Sequence, residues 1–332
     1  MTRCAVVGAG AWGTALANVL ATQGHDVCLW AHEPEVAGEI QASHTNSTFL
    51  PDVRLARALR ATSDLREAVS GTAMIVYAPP SHVLRRLARQ AAPYVAAGSI
   101  IVVATKGIEE QTLSLTTTIV ADEHPGCSVV ALSGPSFAAE AVREQPTAVV
   151  AASREESARL AVQQAFSRPS FRVYTTDDVT GVSVGGALKN VIAIAAGISE
   201  GLGLGFNPRA ALITRALAEM TRLGVALGAR AETFAGLTGI GDLVLTCTGA
   251  LSRNRALGEA LGRGQSLEEA LAGRHTVVEG VQTARTAHEL AERLGVEMPI
   301  VAAVQRVLFQ KQDPRAALTE LMTRELRPER DA

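Results

Sequence analysis

The chain has 332 residues, a formal net charge of −2 at pH 7 and a hydrophobic share of 47%. That share is enough to build a large folded core, so it excludes an intrinsically disordered chain. The near-neutral charge and an aromatic share of only 4% argue against a nucleic-acid binder, which needs a basic surface and aromatic stacking groups.

The first half of the chain alternates short apolar runs with helical patterns. Strands are predicted at residues 3–7, 26–30, 74–77, 100–104, 129–132 and 148–151. Helices are predicted between them, among others at 11–22, 83–91 and 113–120. Strands and helices that alternate at this spacing predict an α/β fold, in which helices cover both faces of a doubly wound parallel sheet.

The second half of the chain has helical patterns only. Helices are predicted at 179–198, 208–227, 252–261, 278–294 and 299–309, and no strand is predicted after about residue 180. A chain of this length is typical of two domains. We therefore predict an α/β domain at residues 1–180, followed by an all-helical domain at residues 181–332.

The sequence predicts a cytoplasmic protein that neither is exported nor spans a membrane. The amino terminus looks like a signal peptide, but Gly8, Gly10 and Gly13 interrupt its apolar core. The most apolar helix, at 181–198, has Lys189 and Asn190 at its centre, where a charge in lipid would be costly. Four widely separated cysteines favour reduced thiols over disulfides or a zinc site: Cys4, Cys28, Cys127 and Cys247.

Residues 8–13 read Gly-Ala-Gly-Ala-Trp-Gly and lie between the first predicted strand and the first predicted helix. In such a turn Gly8 permits the tight bend, Gly10 lets a pyrophosphate approach the backbone, and Gly13 allows close packing of helix on strand. The N–H groups at the helix start then bind the phosphates. The position within a βαβ unit favours a dinucleotide site over a purely structural glycine turn.

The end of the second strand bears on the choice of cofactor. NAD-selective sites usually place an acidic residue there, which binds the ribose 2′-OH. Here the strand is followed by Ala31, His32 and Glu33, of which Glu33 is placed to start the next helix. We therefore predict NADP or NAD as the cofactor, with a preference for NADP and with His32 near the 2′-phosphate. The alternative for His32 is an ordinary surface histidine.

Only three of the 31 basic residues are lysines, and two of them lie at positions suited to chemistry. Lys106 follows a strand at the carboxyl edge, where doubly wound sheets bind ligands. Lys189 lies in an apolar helix, where burial lowers the pKa of an amine toward neutrality and suits it to general acid–base catalysis. The alternatives are a turn cap for Lys106 and a snorkelling side chain for Lys189. Lys311 is predicted to be a solvated loop residue.

Two further loops carry candidate ligand groups. Ser136 lies in the Ser-Gly-Pro-Ser-Phe segment at 133–137, at a strand end, and Ser252, Arg253 and Asn254 begin a predicted helix. N–H groups at a helix start beside a guanidinium can bind an anion, although each loop alone is equally consistent with ordinary helix capping. Together with the two lysines, the loops predict a phosphorylated substrate that faces the dinucleotide.

In these motifs the chain resembles the bacterial NAD(P)-dependent glycerol-3-phosphate dehydrogenases. The resemblance extends almost from end to end, through GAGAWGTALA at 8–17, Asn46 with FLP at 49–51, ATKGIE at 104–109, SGPSFA at 133–138, GGALKNVIAIAAGIS at 185–199, AALITRALAEM at 210–220, GDLVLTCT at 241–248, LSRNR at 251–255 and VVEGV at 277–281. The chain departs from the family at 205–208, where Gly-Phe-Asn-Pro stands in place of the frequent Gly-Asp-Asn, and this puts the contacts of that loop in question.

The resemblance implies a Rossmann-type NAD(P)-binding domain, a helical substrate-binding domain and an active site between them. It implies reversible NAD(P)H-dependent reduction of dihydroxyacetone phosphate to sn-glycerol 3-phosphate for glycerophospholipid synthesis, with Lys189 as the proton donor and acceptor. The residues implied at the substrate are Lys106, Gly134, Ser136, Lys189, Asp242, Ser252, Arg253 and Asn254. Those implied at the cofactor, besides the three glycines of the turn, are Ala11, Trp12, His32, Lys106, Ala138, Arg253, Val277 and Glu279.

Three other functions compete with this one. A dehydrogenase of small β-hydroxy acids also combines a Rossmann domain with a helix-borne lysine, but its substrate carries a carboxylate in place of the phosphate. A nucleotide-sensing regulator would leave a buried lysine without a purpose, and a zinc dehydrogenase would need a cluster of Cys and His ligands that the spacing does not offer. The predicted partner is a phosphorylated triose, without metal or nucleic acid, and a homodimer is compatible with the sequence.

Overall fold

A computed structural model describes residues 1–273, 276–326 and 328–329 of the chain. Residues 274, 275, 327 and 330–332 of the predicted helical domain lie outside the described residues. Eight strands form one sheet: β1 (Arg3–Val7), β2 (Asp26–Trp30), β3 (Arg60–Thr62), β4 (Met74–Tyr77), β5 (Ile100–Val103), β6 (Ser128–Ser133), β7 (Thr147–Ala152) and β8 (Phe171–Thr176). Their order in the sheet is β3-β2-β1-β4-β5-β6-β7-β8.

The strand directions confirm a Rossmann-type sheet but correct the expectation that it is parallel throughout. Strands β1 to β6 are parallel to one another, whereas β7 is antiparallel to β6 and parallel to β8. A parallel return would need a crossover, usually through a helix of some length. The connection from β6 to β7 contains only a four-residue helix, so the chain turns back beside β6.

Two strands of the sheet lie outside the sequence prediction. Strand β3 has three half-buried residues at one edge of the sheet. Strand β8 forms the other edge, and its burial alternates at first, with Phe171 and Val173 buried and Arg172 and Tyr174 exposed. Edge strands that are short or polar on one face lack the continuous apolar run by which buried parallel strands are recognised.

Seven helices belong to the first part of the chain: α1 (Ala11–Thr22), α2 (Pro34–Ser43), α3 (Leu65–Val69), α4 (Ser81–Ala91), α5 (Thr116–Glu123), α6 (Ala138–Ala141) and α7 (Glu156–Phe166). Because side chains alternate along a strand, β1 contributes to a core on each face of the sheet. Val6 packs in the core that includes α1 and α7, and Ala5 and Val7 pack in the core that includes α3, α4 and α5. The sheet therefore lies between two layers of helices.

The described residues after β8 contain helices and no strand, as predicted. The helices are α8 (Val179–Gly201), α9 (Phe206–Ala226), α10 (Ala231–Phe234), a π-helical turn (Leu237–Gly241), α11 (Asp242–Thr248), α12 (Arg253–Gly262), α13 (Leu267–Leu271), α14 (Glu279–Leu294), α15 (Pro299–Phe309) and α16 (Pro314–Met322). Helix α8 lies at the centre and packs against α9, α11, α12, α14 and α15. Its buried apolar residues belong to the hydrophobic core of this second part of the chain.

Glycines let α8 and α12 approach each other backbone to backbone. A Cβ added to Gly197 would lie 2.0 Å from the carbonyl oxygen of Arg255, and one added to Gly258 would lie 2.0 Å from that of Ile194. Any larger residue at either position would push the helices apart. Because α12 begins at residue 253, this close packing brings the start of α12 beside the middle of α8, where Lys189 lies.

In the part of the chain that the structure describes, α8 alone is a single helix with the length and hydropathy of a membrane span. The segments Ala231–Thr248 and Arg253–Gly262 pass the same test only when taken together, and they are bent by 51°. Within the structure, 89% of the most apolar window of α8 is buried. Helix α8 is therefore the central core helix of the second part of the chain.

Glu219 provides a testable link between stability and pH. It is buried in α9, and its carboxylate accepts hydrogen bonds from the backbone N–H groups of Ile300 (2.8 Å) and Val301 (3.3 Å) at the start of α15. Burial raises the pKa of Glu219 from 4.5 to about 7, although both hydrogen bonds act in the opposite direction. The folded state therefore holds this proton more tightly than the unfolded state does. The resulting stabilisation is present below about pH 4.5 and is lost as the pH rises through about 7.

We expect the unfolding free energy of Glu219→Gln, compared with that of the unmodified protein, to change in favour of the variant by roughly 2 to 3 kcal/mol as the pH is raised from 5 to 8. The amide oxygen still accepts from one of the two backbone N–H groups, and the other loses its acceptor at every pH, but the side chain carries no charge to bury. Urea unfolding at both pH values measures the difference. Glu289→Gln, at an exposed position of α14, is the matched control. An equal effect of Glu219→Gln at both pH values would contradict the assignment.

Candidate active site

The glycine-rich turn after β1 is shaped for close approach. Gly8 has a φ of +114°, and a Cβ there would lie 2.9 Å from the backbone nitrogen of Pro79. A Cβ on Gly13 would lie 1.9 Å from the carbonyl oxygen of Gly8, whereas one on Gly10 would meet no described atom within 4 Å. Gly10 is the N-cap of α1 and has no side chain with which to cap the helix. The open backbone and the helix start fit the pyrophosphate of a dinucleotide.

Two side chains define the surroundings of this turn. Asn46 donates hydrogen bonds from Nδ2 to the carbonyl oxygen of Ala9 and to Oγ1 of Thr14, both at 2.8 Å, and so holds the turn in place. Trp12 is half-buried like Ala11, and its Nε1 is buried with no hydrogen-bond partner among residues 1–273, 276–326 and 328–329. The sequence predicted Trp12 here but assigned no role to Asn46, although Asn46 belongs to a matching motif.

His32 lies just beyond the end of β2. Its side chain is exposed, and its ring centroid lies 6.0 Å from that of Trp30. Glu33 is the N-cap of α2, as its sequence position suggests. The residues that directly follow this strand thus offer an exposed histidine, and the next residue, Glu33, caps the following helix.

Lys106, Lys189 and Asp242 form one cluster. Lys189 in α8 donates from Nζ to Oδ1 of Asp242 at 2.5 Å, and Lys106 in the loop after β5 donates from Nζ to Oδ2 at 2.9 Å. Asp242 has no solvent exposure and Lys189 has 8%. One buried carboxylate therefore joins a lysine from the carboxyl edge of the sheet to a lysine from the central helix.

The electrostatics of this cluster favour a titratable amine. Burial lowers the pKa of Lys189, and together with the second ammonium at Lys106 it brings the pKa to about 7, even though Asp242 raises it. Burial alone would raise the pKa of Asp242, but the two ammonium groups outweigh burial and hold it below its usual range. Asp242 therefore stays ionised, and the proton that this cluster can exchange near neutral pH is the one on Lys189.

A π-helical turn delivers Asp242 to the two lysines. Asp242 is the first residue of α11, directly after the turn Leu237–Gly241. A Cβ on Gly185 would lie 2.3 Å from the carbonyl oxygen of Thr238, so the turn packs directly on α8 one helical turn before Lys189. Thr246 donates its hydroxyl to the carbonyl oxygen of Asp242 at 2.6 Å. Such π-helical segments are frequent at functional sites.

The predicted anion-binding segment lies at the start of α12. Ser252 is the N-cap, and its Oγ accepts from the backbone N–H of Arg255, while Arg253 is exposed.

Asn254, the next residue of this segment, is buried and links it to α8. Its Nδ2 donates to Oδ1 of Asn190 at 3.0 Å, and its Oδ1 accepts from the N–H of Gly280 at 2.9 Å. The segment thus lies beside Asn190, the residue after Lys189. Sequence reasoning assigned no function to Asn190, and its only signal was its polar side chain in an apolar helix.

The loop after β6 has two of the predicted residues, which contact each other. Gly134 has a φ of +141°, and a Cβ there would lie 2.9 Å from Cα of Val149. The Oγ of Ser136 donates to the carbonyl oxygen of Gly134 at 2.9 Å. Ala138 begins α6 and packs against the sheet core that includes α1. This loop therefore contacts the core that includes α1 on one side and, through Phe137 beside Gly249, the second part of the chain on the other.

Glu279, at the start of α14, contacts the first part of the chain. Its carboxylate accepts from the backbone N–H of Ser81 at 3.0 Å and from its hydroxyl at 2.5 Å. Burial raises the pKa of Glu279 even though both of these bonds lower it. Ser81 begins α4 and follows the segment that contacts Gly8, so Glu279 lies close to the glycine-rich turn. Val277 is exposed nearby, and Ser81 is a contact that the sequence did not predict.

The loop that departs from the family pattern lies at the start of α9. Phe206 is the first residue of that helix and exposes 82% of its surface. The guanidinium of Arg209 lies 5.8 Å from the centre of its ring and pairs with Glu200 at 3.3 Å. In this chain an aromatic–cation contact therefore stands where the family often has a carboxylate.

The described residues contain no group of three or more His, Cys, Asp or Glu side chains that could hold a metal ion. All four cysteines are free, and three of them are buried. Burial raises the pKa of Cys4 and Cys247 to about 12 and that of Cys28 to about 11, so these three are unreactive thiols.

Two family models together cover most of the chain. A model described as the NAD-dependent glycerol-3-phosphate dehydrogenase N-terminus matches residues 3–159. A second model, described as the C-terminus of the same dehydrogenase, matches residues 178–319. The boundary between the two matches falls around β8, the last strand of the sheet.

Curated relatives match over nearly the full length. A protein of Geobacter sulfurreducens named glycerol-3-phosphate dehydrogenase [NAD(P)+] is 55% identical over 332 residues, with 99% of each chain covered. A protein of Citrifermentans bemidjiense with the same name is 52% identical over 330 residues, with 98% of each covered.

A solved structure matches in the same way. The crystal structure of glycerol-3-phosphate dehydrogenase from Coxiella burnetii has a TM-score of 0.94 and 40% identity, and the match covers 97% of this chain and 99% of that one. A ketopantoate reductase from Ralstonia eutropha has a TM-score of 0.62 at 18% identity, so it shares the fold alone.

Proposed function

This chain belongs to the NAD-dependent glycerol-3-phosphate dehydrogenase family, and we propose that it catalyses the reversible NAD(P)H-dependent reduction of dihydroxyacetone phosphate to sn-glycerol 3-phosphate. The family assignment confirms the resemblance stated from the motifs. The observation that carries the proposed chemistry is the cluster of Lys106, Lys189 and Asp242, where the edge of the sheet meets the central helix.

Proton transfer is assigned to Lys189. When bound, the dinucleotide would supply the hydride for the carbonyl carbon of the substrate. As negative charge develops on the carbonyl oxygen, the Lys189 ammonium gives up a proton to it and becomes a neutral amine. Asp242 stays ionised and keeps its contact with Lys106, so the site retains one ion pair after the transfer. In the reverse direction the neutral amine of Lys189 takes the hydroxyl proton from sn-glycerol 3-phosphate.

The substrate phosphate is assigned to the start of α12. Arg253 and the N–H groups of residues 253 and 254 supply a positive charge and the positive end of a helix dipole, whereas the N–H of Ser252 donates to the carbonyl oxygen of Gly249. This segment lies beside Asn190, one residue from the proposed proton donor. Gly134, Ser136 and Lys106 complete the proposed substrate site from the sheet side, with Lys106 contacting substrate and cofactor.

The dinucleotide is assigned to the glycine-rich turn and its neighbours. Gly10 and the start of α1 would hold the pyrophosphate, because the backbone at Gly10 is open to close approach, while Gly8 and Gly13 pack against neighbouring backbone and so shape the turn. The proposed contacts farther from the turn are Ala11, Trp12, His32, Ala138, Arg253, Val277 and Glu279. The exposed imidazole of His32 at the end of β2 supports a preference for NADP, since it can reach a 2′-phosphate.

We propose that residues 1–180 form the NAD(P)-binding domain and residues 181–332 the helical substrate-binding domain, and that both contribute residues to the site between them. Free, mostly buried thiols support a cytoplasmic protein. The product is the backbone of glycerophospholipids, so a role in their synthesis follows from the proposed reaction. A homodimer is the assembly that we propose to test by sedimentation.

Initial rates of NADPH and NADH oxidation test the function directly. We expect dihydroxyacetone phosphate to be reduced with a kcat/KM at least about 100-fold above that for small β-keto acids. A carboxylate would leave some hydrogen-bond donors of a phosphate site without acceptors. We also expect a lower KM for NADPH than for NADH. Absence of oxidation with dihydroxyacetone phosphate, together with turnover of a β-keto acid, would overturn the proposal in favour of a β-hydroxy acid dehydrogenase.

A further inference from the structure

Ser133 is a buried hydroxyl without a hydrogen-bond partner. It is the last residue of β6, at the carboxyl edge of the sheet, and is 5% exposed. Its Oγ has no partner in the described parts of the chain, whereas the Oγ of Ser136 in the same loop bonds to Gly134. Buried hydroxyls are almost always hydrogen-bonded, so an exception at a strand end that faces a site calls for a ligand.

The Ser133 hydroxyl faces the lysine cluster. A Cβ added to Gly186 in α8 would lie 2.8 Å from Ser133 Oγ and 3.5 Å and 3.6 Å from Cγ and Cδ of Lys106. Because Gly186 has no side chain, Ser133 and the stem of Lys106 pack directly against α8 at this residue. Lys189 follows Gly186 by three residues, so it lies on the same face of the helix. Helical side chains lean toward the amino end, which brings the Lys189 side chain back over the turn that contains Gly186.

Helix α8 places the groups of the proposed substrate site in order along its axis. Ser133 lies beside Gly186, on the amino-terminal side of Lys189. Asn190, on the other side, is bonded to Asn254 at the start of α12. The four residue steps from 186 to 190 span about 6 Å of helix axis. A three-carbon phosphate ester is about this long, so it can place its phosphate at α12, its central oxygen at Lys189 and its third carbon at Ser133.

We propose that Ser133 hydrogen-bonds the free terminal hydroxyl of dihydroxyacetone phosphate and of sn-glycerol 3-phosphate, and so selects substrates that carry a hydroxymethyl group. A serine hydroxyl both donates and accepts, and so does the substrate hydroxyl. The phosphate end requires positive charge, which α12 and Arg253 provide at the opposite end of the row. This inference rests on the proposed function, because it assigns one end of that substrate.

The test compares two substrates in two variants. The analogue acetol phosphate has a methyl group in place of the hydroxymethyl group and keeps the ketone and the phosphate. In Ser133→Ala we expect kcat/KM for dihydroxyacetone phosphate to fall about tenfold, because one buried hydrogen bond is lost, while kcat/KM for acetol phosphate changes by less than about twofold. Ser128→Ala, at the opposite end of β6, is the matched control, since Ser128 bonds Glu155 far from the cluster. It should leave both values unchanged.

Each other outcome has a defined meaning. An equal loss for both substrates in Ser133→Ala, or no change in either, would overturn the assignment of Ser133 to the terminal hydroxyl. A thermal melt shows that the variant is folded, and the acetol phosphate rate shows that its chemistry is intact. If the unmodified protein does not turn over dihydroxyacetone phosphate, then the proposed function itself fails, which is a different result from a failure confined to Ser133.

Discussion

Replacing Lys189 by arginine is expected to remove nearly all turnover, by a factor of about 10³ or more in kcat. Arginine keeps the positive charge beside Asp242, but its guanidinium does not deprotonate at working pH. Burial, acting against the attraction of Asp242, leaves Lys189 with a pKa of about 7, and arginine lacks such a titratable proton. If Lys189 only stabilised negative charge, arginine would retain much of the activity, so this substitution separates proton transfer from electrostatics.

Steady-state rates with saturating dihydroxyacetone phosphate and NADPH measure this effect. Lys311→Arg is the matched control, because Lys311 is exposed in a polar loop and the same exchange there should leave kcat unchanged. Lys189→Met, which is slender and apolar, guards against overpacking by the wider guanidinium and should lose as much kcat. Quenching of NADPH fluorescence reports whether cofactor binding survives. Normal kcat in Lys189→Arg would reject Lys189 as the proton donor.

Replacing Asp242 by asparagine is expected to lower kcat/KM for ketone reduction at pH 7 by about 100-fold and to shift its pH dependence. The amide has the shape of the carboxylate but removes the charge that pairs with the buried ammonium of Lys189 and the half-buried one of Lys106. Without that charge, burial and Lys106 lower the pKa of Lys189 below its value of about 7. Most Lys189 amines would then be neutral at pH 7 and would have no proton to donate.

The sign of the shift follows from the direction of the reaction. Reduction needs protonated Lys189, so kcat/KM in the unmodified protein should be level below about pH 7 and fall as the pH rises through that value. Oxidation of sn-glycerol 3-phosphate needs the neutral amine and should rise over the same range. In Asp242→Asn both transitions should move to lower pH. Asp52→Asn, at an exposed site, is the control. An unshifted profile in Asp242→Asn would show that Asp242 does not tune Lys189.

Much of the fold could be predicted from the chain alone. The run at residues 3–7, the helix after it and the strand at 26–30 coincide with β1, α1 and β2, because each combines a strong apolar pattern with a glycine-rich boundary. The edge strands β3 and β8 and the reversal of β7 were missed. Their patterns are short or half-exposed, and strand direction depends on how a connection packs, which no local pattern records.

The amino-acid sequence by itself determined the class of this protein, since the glycine spacing, the apolar helix around Lys189 and the strand-end position of Lys106 are local features. Only the tertiary structure decided which of these residues meet. Lys106 and Lys189 share Asp242 across 136 and 53 residues of chain, and Ser81 meets Glu279 across 198. Local propensity acts over a few residues, whereas these contacts depend on how α8, α11 and α14 pack against the sheet edge. For the same reason Ser133, one of many serines in the sequence, became a candidate ligand group only through its position beside Gly186.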